Sequence, residues 1–265
     1  MLSSPIRQPR RPQQQSLRQD YAEFLEQRIE EYKEQLSREK LLAVADEAVR
    51  ELDLASEEQL VLTEVLVLEH VDRLIMQRLN LPTFRKWRHQ HVRIRQAQRD
   101  PTHWGMESDG PIVDLAARLD ESDAALILGK GAIPAAHLLA AFEWRVLFID
   151  PTLATVEAAE ALAGSEGLAS RIQALVVHLG HWFPDIAPTL VVLDPKALSD
   201  LDAPTRVRVL DTFKQMTTSG GIHCFLPVRR AVSALAPAVI RAHYGDWSAH
   251  HRRNESSGWF LAVKP

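Results

Sequence analysis

The sequence has a single cysteine, no long apolar run and no excess of either charge. One cysteine, Cys224, rules out an internal disulfide, and its apolar neighbours predict a buried strand in which it packs as a small hydrophobe. No segment approaches the roughly 20 apolar residues of a membrane span, and the N-terminus lacks an apolar core of signal-peptide length. We therefore expect a cytoplasmic protein without a membrane partner.

The near balance of charge excludes a general attraction to polyanions. The formal net charge is −4, so binding to nucleic acid or anionic lipid requires a local basic patch. With 265 residues, 46% of them hydrophobic, the chain can bury one large core or two modest ones. It is long enough for an enzyme.

The first hundred residues predict a tail followed by helices. Residues 1–17 are rich in Pro, Gln, Ser and Arg and predict a disordered basic tail, because they offer too little apolar surface to offset the entropy of ordering. From Ser16 onward apolar residues recur at steps of three and four, which predicts a helical domain over 18–105. Ser56 and Gln59 predict a capping box.

Apolar residues lie on nearly every side of the predicted helix between Leu60 and Leu68. This pattern predicts the buried centre of the helical domain and leaves open a seam between two copies of the chain. A homodimer through the N-terminal helices is thus one expectation.

A basic helix is predicted over 83–99. It contains no acid, and Trp87 and two histidines are interleaved with its cations. It could be a solvated face, a lid or a surface that follows phosphates. The candidate contacts for nucleic acid are Arg85, Lys86, Arg88, Arg93 and Arg95.

Residues 106–265 alternate short apolar runs of strand length with helical stretches. Strands that are apolar at almost every position are buried on both faces, as in a parallel sheet covered by helices. Two extended segments at the C-terminus predict a terminal hairpin. The expected fold is α/β: a doubly wound three-layer sandwich with a mostly parallel seven-stranded sheet, preceded by an all-helical N-terminal domain.

Gly129 and Gly131 form the turn between the first strand and its helix, and Asp150 ends the second strand. Such a turn can bring backbone N–H groups close to a ligand, and an acid about twenty residues later can accept bonds from ribose hydroxyls. Pro134 makes a poor match to a nicotinamide fingerprint, and "GKGAIPAA" excludes a P-loop.

Residues 111–265 resemble a class I S-adenosylmethionine-dependent methyltransferase. The resemblance is carried, in order, by a strand running into "GKG" and by "VLFIDPTLATVEAAEALA", "TLVVLDPKAL", "FKQMTTSGGIHCFLPV" and "GWFLAVKP". It implies S-adenosylmethionine as cofactor, with the glycines beside its amino-acid part, Asp150 on its ribose, His178 and Leu179 at its adenine, and Asp194 facing its amino-acid end or the substrate. The cofactor residues so implied are Gly129, Lys130, Gly131, Asp150, Pro151, His178, Leu179 and Asp194.

The chain departs from the pattern of that family at three places. Ile127 stands where the family usually has an acid, Ile133 where it usually has a third glycine, and "HLGHWF" offers no acid at the end of the third strand. "LDPKAL" replaces the motif used for amino methylation of DNA bases. The histidines follow no metal-binding spacing, so no metal site is expected, and His181 is either a base or an ordinary loop residue.

These sequence features lead to two alternative hypotheses for the function. The first is a methyltransferase, with RNA or another anionic acceptor held by the N-terminal helices. The second is a catalytically inactive methyltransferase-like module that binds or assembles with protein or nucleic acid. Gly129, Gly131 and Asp150 favour the first, whereas Ile127 and Ile133 favour the second.

Overall fold

The computed structural model describes residues 16–55, 64–118, 123–227, 237–253 and 258–265. The chain divides into two compact units, Met1–Ile94 and Arg95–Pro265. None of the helices in the described ranges is long and apolar enough to cross a bilayer.

The first unit is helical. Its helices are α1 (Leu17–Gln35), α2 (Arg38–Ala55), α3 (Glu64–Arg78) and α4 (Phe84–Gln98), of which α4 continues into the second unit. A capping box starts α1: the Ser16 hydroxyl accepts from the Gln19 N–H, and the Gln19 side chain accepts from the Ser16 N–H. The predicted tail lies outside the described residues up to residue 15, and Leu17 belongs to α1.

A small core holds the helices of this unit together. Its buried members are Ile29, Val44, Ala48, Val71, Leu74 and Ile75. The prediction of a buried centre over Leu60–Leu68 is wrong at the described end of that segment, because Val65 is 63% and Leu68 55% exposed. The predicted capping box at Ser56 and the residues up to 63 lie outside the described ranges. A seam between two copies stays a prediction.

The second unit is an α/β domain. Its strands are β1 (Ala124–Leu128), β2 (Arg145–Asp150), β3 (Ile172–Val176), β4 (Leu190–Leu193), β5 (Ile222–Phe225), β6 (Ser248–Arg253) and β7 (Gly258–Val263). Its further helices are α5 (Pro111–Ala116), α6 (Ile133–Ala141), α7 (Leu153–Ser165), α8 (Ala203–Met216) and α9 (Pro237–His243). The strands form one sheet in the order β3-β2-β1-β4-β5-β7-β6.

Only β7 runs against the direction of the other strands of this sheet. Strands β1 to β5 pair in parallel, while β7 is antiparallel to both β5 and β6. Parallel neighbours need crossover connections, and the helices that follow β1, β2 and β4 provide them. The predicted fold class, including the seven strands and the hairpin, is confirmed.

The side chains of β1 show why the sheet is covered on both faces. Ala125 and Ile127 belong to one core cluster, and Leu126 and Leu128 belong to the other. All four are fully buried, as expected of a central strand between two helical layers. Burying such a leucine or isoleucine stabilises the fold by about 1.5–3 kcal/mol. At the edge of the sheet, β3 instead exposes Gln173 and Val176.

A buried polar network links β5 to the helices beside it. The His223 ring is completely buried, with Nε2 2.7 Å from the Thr217 hydroxyl and Nδ1 2.7 Å from the Tyr244 hydroxyl. The Thr217 hydroxyl donates to the Phe213 carbonyl, so it accepts from Nε2–H, and Nδ1 accepts from Tyr244. Burial, together with nearby lysine ammoniums, lowers the pKa of His223 to about 3.

Cys224 lies next to this network in β5 and is completely buried, as the sequence predicts. Burial raises the pKa of its thiol, which keeps the sulfur protonated and unreactive.

Candidate functional site

The glycine turn lies where the strand order of the sheet reverses. Strand β1 is flanked by β2 on one side and β4 on the other, so its carboxyl end opens between crossovers that run in opposite directions. Gly129 follows β1 directly with φ of 93°, and a short 3-10 turn, Lys130–Ala132, leads into α6. Lys130 and Gly131 are exposed, whereas Gly129 is buried.

The side chain of Asp194, at the end of the neighbouring strand β4, packs against this turn. Its Oδ2 accepts from the Gly131 N–H at 2.9 Å, and its Oδ1 accepts from the Lys196 N–H at 3.0 Å. A Cβ on Gly131 would lie 2.4 Å from Oδ2, and one on Gly129 would lie 2.8 Å from the Asp194 Cβ and 2.9 Å from the Ala197 Cβ. Both glycines are therefore required by the protein's own packing, independently of any ligand.

This contact leaves part of the turn open. Asp194 is only 8% exposed and uses both of its oxygens, but each carboxylate oxygen has a second lone pair. Gly131 keeps an exposed surface although its N–H is bonded. A ligand at this edge would therefore meet the outer side of Gly131 and Lys130, with a carboxylate already beneath them.

Asp150 stands at the end of β2, on the other side of β1. It is 4% exposed, and its Oδ1 accepts from the Thr152 N–H at 2.8 Å. The helix cap is Thr152, so Asp150 braces the backbone just before α7 and is not itself the N-cap. Pro151 and Leu153 form an exposed rim beside it. No residue in the described ranges bonds to the second oxygen of Asp150, which can therefore accept from a hydroxyl-bearing ligand.

The loop after β3 carries the residues expected at an adenine. His178 is exposed, while Leu179 is 5% exposed and belongs to the core. Gly180, with φ of 90°, packs so closely on α8 that a Cβ would lie 2.7 Å from the Thr205 Cγ2. His181 is exposed beyond it. Of the two predicted residues, only His178 presents its side chain to solvent.

The two isoleucines that replace family residues both face the core. Ile127 is completely buried inside β1. Ile133 is half-buried and packs against the same core cluster from the first turn of α6. Neither isoleucine fills the edge of the sheet; the residue that does occupy the turn is Asp194.

The predicted basic surface lies on α4. Arg85, Lys86, Arg88 and Arg93 are exposed, and none of them forms an ion pair with any residue of the described ranges. Arg95 is half-buried, and its guanidinium lies 3.5 Å from the Gly167 carbonyl oxygen. The side chains of four of the five predicted cations are thus exposed to solvent, whereas that of Arg95 contacts the protein.

Sequence reasoning missed the bond between Asp194 and Gly131. Both residues were predicted as cofactor contacts, but their contact with each other was not. The signal that could have revealed it is the order of the strands: an acid ending β4 adjoins the turn after β1 whenever these strands are neighbours. Within the described ranges, no group of three or more His, Cys, Asp or Glu side chains is arranged to hold a metal.

No family model and no curated protein matches this sequence. Solved structures do resemble part of it. An O-methyltransferase family protein from Burkholderia thailandensis is 17% identical over 58% of this chain and 55% of its own, with a TM-score of 0.46. The N-methyltransferase NodS from Bradyrhizobium japonicum WM9 is 18% identical over 60% of this chain and 99% of its own, with a TM-score of 0.44. The chain thus spans about half of the first of these proteins.

A further similar structure is the glycopeptide N-methyltransferase MtfA complexed with S-adenosyl-L-methionine. It is 12% identical over 58% of this chain and 86% of its own, with a TM-score of 0.47. The fold assignment rests on the topology of this chain: five parallel strands in the order 3-2-1-4-5, a helix after the glycine turn, and an antiparallel hairpin that places β7 beside β5. The second unit has the Rossmann-like fold of class I S-adenosylmethionine-dependent methyltransferases.

Proposed function

We propose that the second unit binds S-adenosylmethionine at the carboxyl edge of its sheet and uses it for methyl transfer. The observation that carries the proposal is the exposed Gly131 turn between two buried strand-end carboxylates, Asp150 and Asp194, at the point where strand order reverses. Ligands of doubly wound sheets bind at this place.

The residues present fit this cofactor. Gly131 has no side chain to cover its outer surface, and Asp150 keeps one oxygen free of the described bond to Thr152. Asp150 would hold the ribose hydroxyls, while Asp194 and the turn would hold the amino-acid end. When bound, the cofactor supplies an electrophilic methyl group.

The contribution of this chain would be mainly positional. Methyl transfer needs an acceptor held in line with the methyl group, and some acceptors also need a base. His181 is exposed in the loop after β3 and is the candidate for that base at this edge. The buried His223 is excluded, because both ring nitrogens are bonded inside the core.

The deciding experiment is a titration of the full chain with S-adenosylmethionine, by calorimetry and by thermal shift. A site with a Kd of about 100 µM would stabilise the protein by about 1.4 kcal/mol at 1 mM ligand. Asp150→Asn keeps the shape of the side chain but weakens a charged acceptor, so we expect affinity to fall about tenfold or more. Asp53→Asn, on an exposed face of α2, is the matched control and should bind as the wild type does.

The second candidate is a binding module without catalysis. Its supporting observation is that Asp194 occupies the Gly131 N–H, a donor that a ligand could otherwise use. If Asp194 blocks the turn, the wild type shows no shift with S-adenosylmethionine. Asp194→Ala then frees the Gly131 N–H. A thermal shift with S-adenosylmethionine in this variant indicates a site that Asp194 blocks, and no shift indicates that the site is missing.

We further propose that an anionic acceptor such as RNA is contacted by α4. The supporting observation is the exposed, unpaired set of cations on this helix within the described ranges. Replacing Arg88 and Arg93 by Gln should weaken binding of single-stranded RNA and reduce the salt slope by about 1.4, since each lost phosphate contact removes about 0.7. Replacing Arg73 and Arg208, which are exposed elsewhere, is the control. Salt-independent binding would contradict phosphate contact.

A further inference from the structure

A cavity of about 290 Å³ opens at the amino edge of the sheet, away from the glycine turn. It lies among the starts of β1, β4 and β5. Its lining includes Arg118, Asp123, Trp144, Thr189, Thr218 and Gly220, together with apolar side chains of α5 and β4. The volume is at the lower end of the roughly 300–1,000 Å³ of small-molecule sites, which favours a small metabolite over a nucleotide or a peptide.

One charge of each sign lines this cavity. Arg118 is exposed just after α5, and Asp123 is half-buried just before β1. Neither side chain hydrogen-bonds or pairs with another residue in the ranges that the structure describes. A guanidinium binds a carboxylate in a bidentate manner, and a carboxylate binds an ammonium. The two together are suited to a zwitterion.

Two of the hydroxyl groups that line the cavity, those of Thr189 and Thr218, can serve as acceptors. Thr189 Oγ1 donates to the Ala124 carbonyl and Thr218 Oγ1 to the Pro188 carbonyl, each at 3.4 Å. Bonds of this length are weak, and each hydroxyl oxygen still presents its lone pairs to a ligand. They therefore reinforce Asp123 as partners for an ammonium group.

The remaining wall is apolar. Leu115 and Leu190 are buried, and the Trp144 indole is 4% exposed, with its N–H directed to the Ala116 carbonyl at 3.4 Å. The indole therefore presents apolar ring surface to the cavity. Gly220, with φ of 74°, leaves open space at the mouth, where an added Cβ would meet nothing within 4 Å.

We infer that this cavity binds a free α-amino acid with an apolar side chain. Arg118 holds its carboxylate, Asp123 and the threonine oxygens hold its ammonium, and the wall around Trp144 receives its side chain. The inference does not rest on the proposed function, because this site lies at the opposite edge of the sheet from the glycine turn.

The test is calorimetric titration of the full chain with L-leucine and L-phenylalanine. At least one of them should bind saturably at millimolar concentration. For L-phenylalanine, removing the carboxylate (phenethylamine) or the ammonium (3-phenylpropionate) should each lower affinity about tenfold or more. Absence of saturable binding by both amino acids overturns the proposal.

Two variants assign the charges. Arg118→Gln should lower the affinity for L-phenylalanine about tenfold but leave the affinity for phenethylamine unchanged. Asp123→Asn should also lower the affinity for L-phenylalanine about tenfold, but leave the affinity for 3-phenylpropionate unchanged. Arg208→Gln and Asp185→Asn, both at exposed positions, are matched controls with wild-type affinity. The melting temperature of each free variant shows that it is folded. Equal weakening in variants and controls refutes the assignment.

A fluorescence measurement locates the ligand. Binding of L-phenylalanine should change the tryptophan fluorescence of the wild type. The Trp144→Phe variant should not show this change. Saturating S-adenosylmethionine should leave L-phenylalanine binding unaltered. Competition between the two ligands would contradict a site at the amino edge of the sheet.

Discussion

Acidification should destabilise this protein through one buried side chain, His223. The ring is neutral in the fold, with a pKa lowered to about 3, whereas an unfolded histidine titrates near 6.5. Below pH 6.5 the unfolded state therefore binds a proton that the folded state does not bind. The free energy of unfolding falls as the pH decreases from 6.5 towards 3. The loss ends near pH 3, where the folded state also takes up the proton.

The structure gives the size of this effect. Each pH unit well inside the window costs about 1.4 kcal/mol per proton, and the unfolded histidine is only half protonated at pH 6.5, so lowering the pH from 6.5 to 4.5 should remove about 2 kcal/mol through His223 alone. Lys214 and Lys264 also lower the pKa of this ring, which acts in the same direction as burial. In the neutral tautomer described above, the ring bonds to both Thr217 and Tyr244.

The assay is urea denaturation followed by circular dichroism at a series of pH values, for the wild type and for His223→Gln. Carboxylates titrate in both proteins, so the difference between their free energies of unfolding isolates the histidine. His181→Gln, in an exposed loop, is the control and should follow the wild-type profile. Parallel profiles of the wild type and His223→Gln between pH 7 and 4.5 would refute the reasoning.

Two further substitutions, each with a control, test the packing at the glycine turn and at the end of α8. Gly129→Ala should lower the free energy of unfolding by about 2–4 kcal/mol, because its Cβ would meet Asp194 at a φ of 93°. Gly164→Ala, where a Cβ meets nothing within 4 Å, should be neutral or stabilising by up to about 1 kcal/mol. Lys264→Met removes an ammonium that donates to three carbonyls at the end of α8 and should cost about 1–3 kcal/mol, whereas Lys130→Met should cost nothing measurable. Thermal denaturation checks all four, and equal stabilities would contradict the contacts described.

Local patterns were sufficient for the architecture of the second unit. Apolar runs such as those of β1 and β4, separated by helical stretches, predict strands buried on both faces, and the structure confirms them. Hydrophobic burial dominates the choice of fold, and it can be counted along the chain. The turn at Gly129 and the acids at Asp150 and Asp194 were also placed correctly at strand ends.

The helical unit was predicted less well. Periodicity identified the helices, but not which apolar side chains their packing leaves exposed. Val65 and Leu68 are apolar and exposed, although the same composition predicts a buried segment. Burial of a helix face depends on the partner that covers it, and a single sequence does not name that partner.

By itself, the sequence determined that an α/β sheet forms, that a glycine turn follows its first strand, and that carboxylates end β2 and β4. These features depend on residue type and spacing within short segments. Only the tertiary structure decided what those groups contact: Asp194 reaches the Gly131 N–H, and Arg118 and Asp123 line one cavity at the opposite edge. The physical reason is that strand order brings together residues far apart in the chain, and hydrogen bonds and cavities arise only from that proximity.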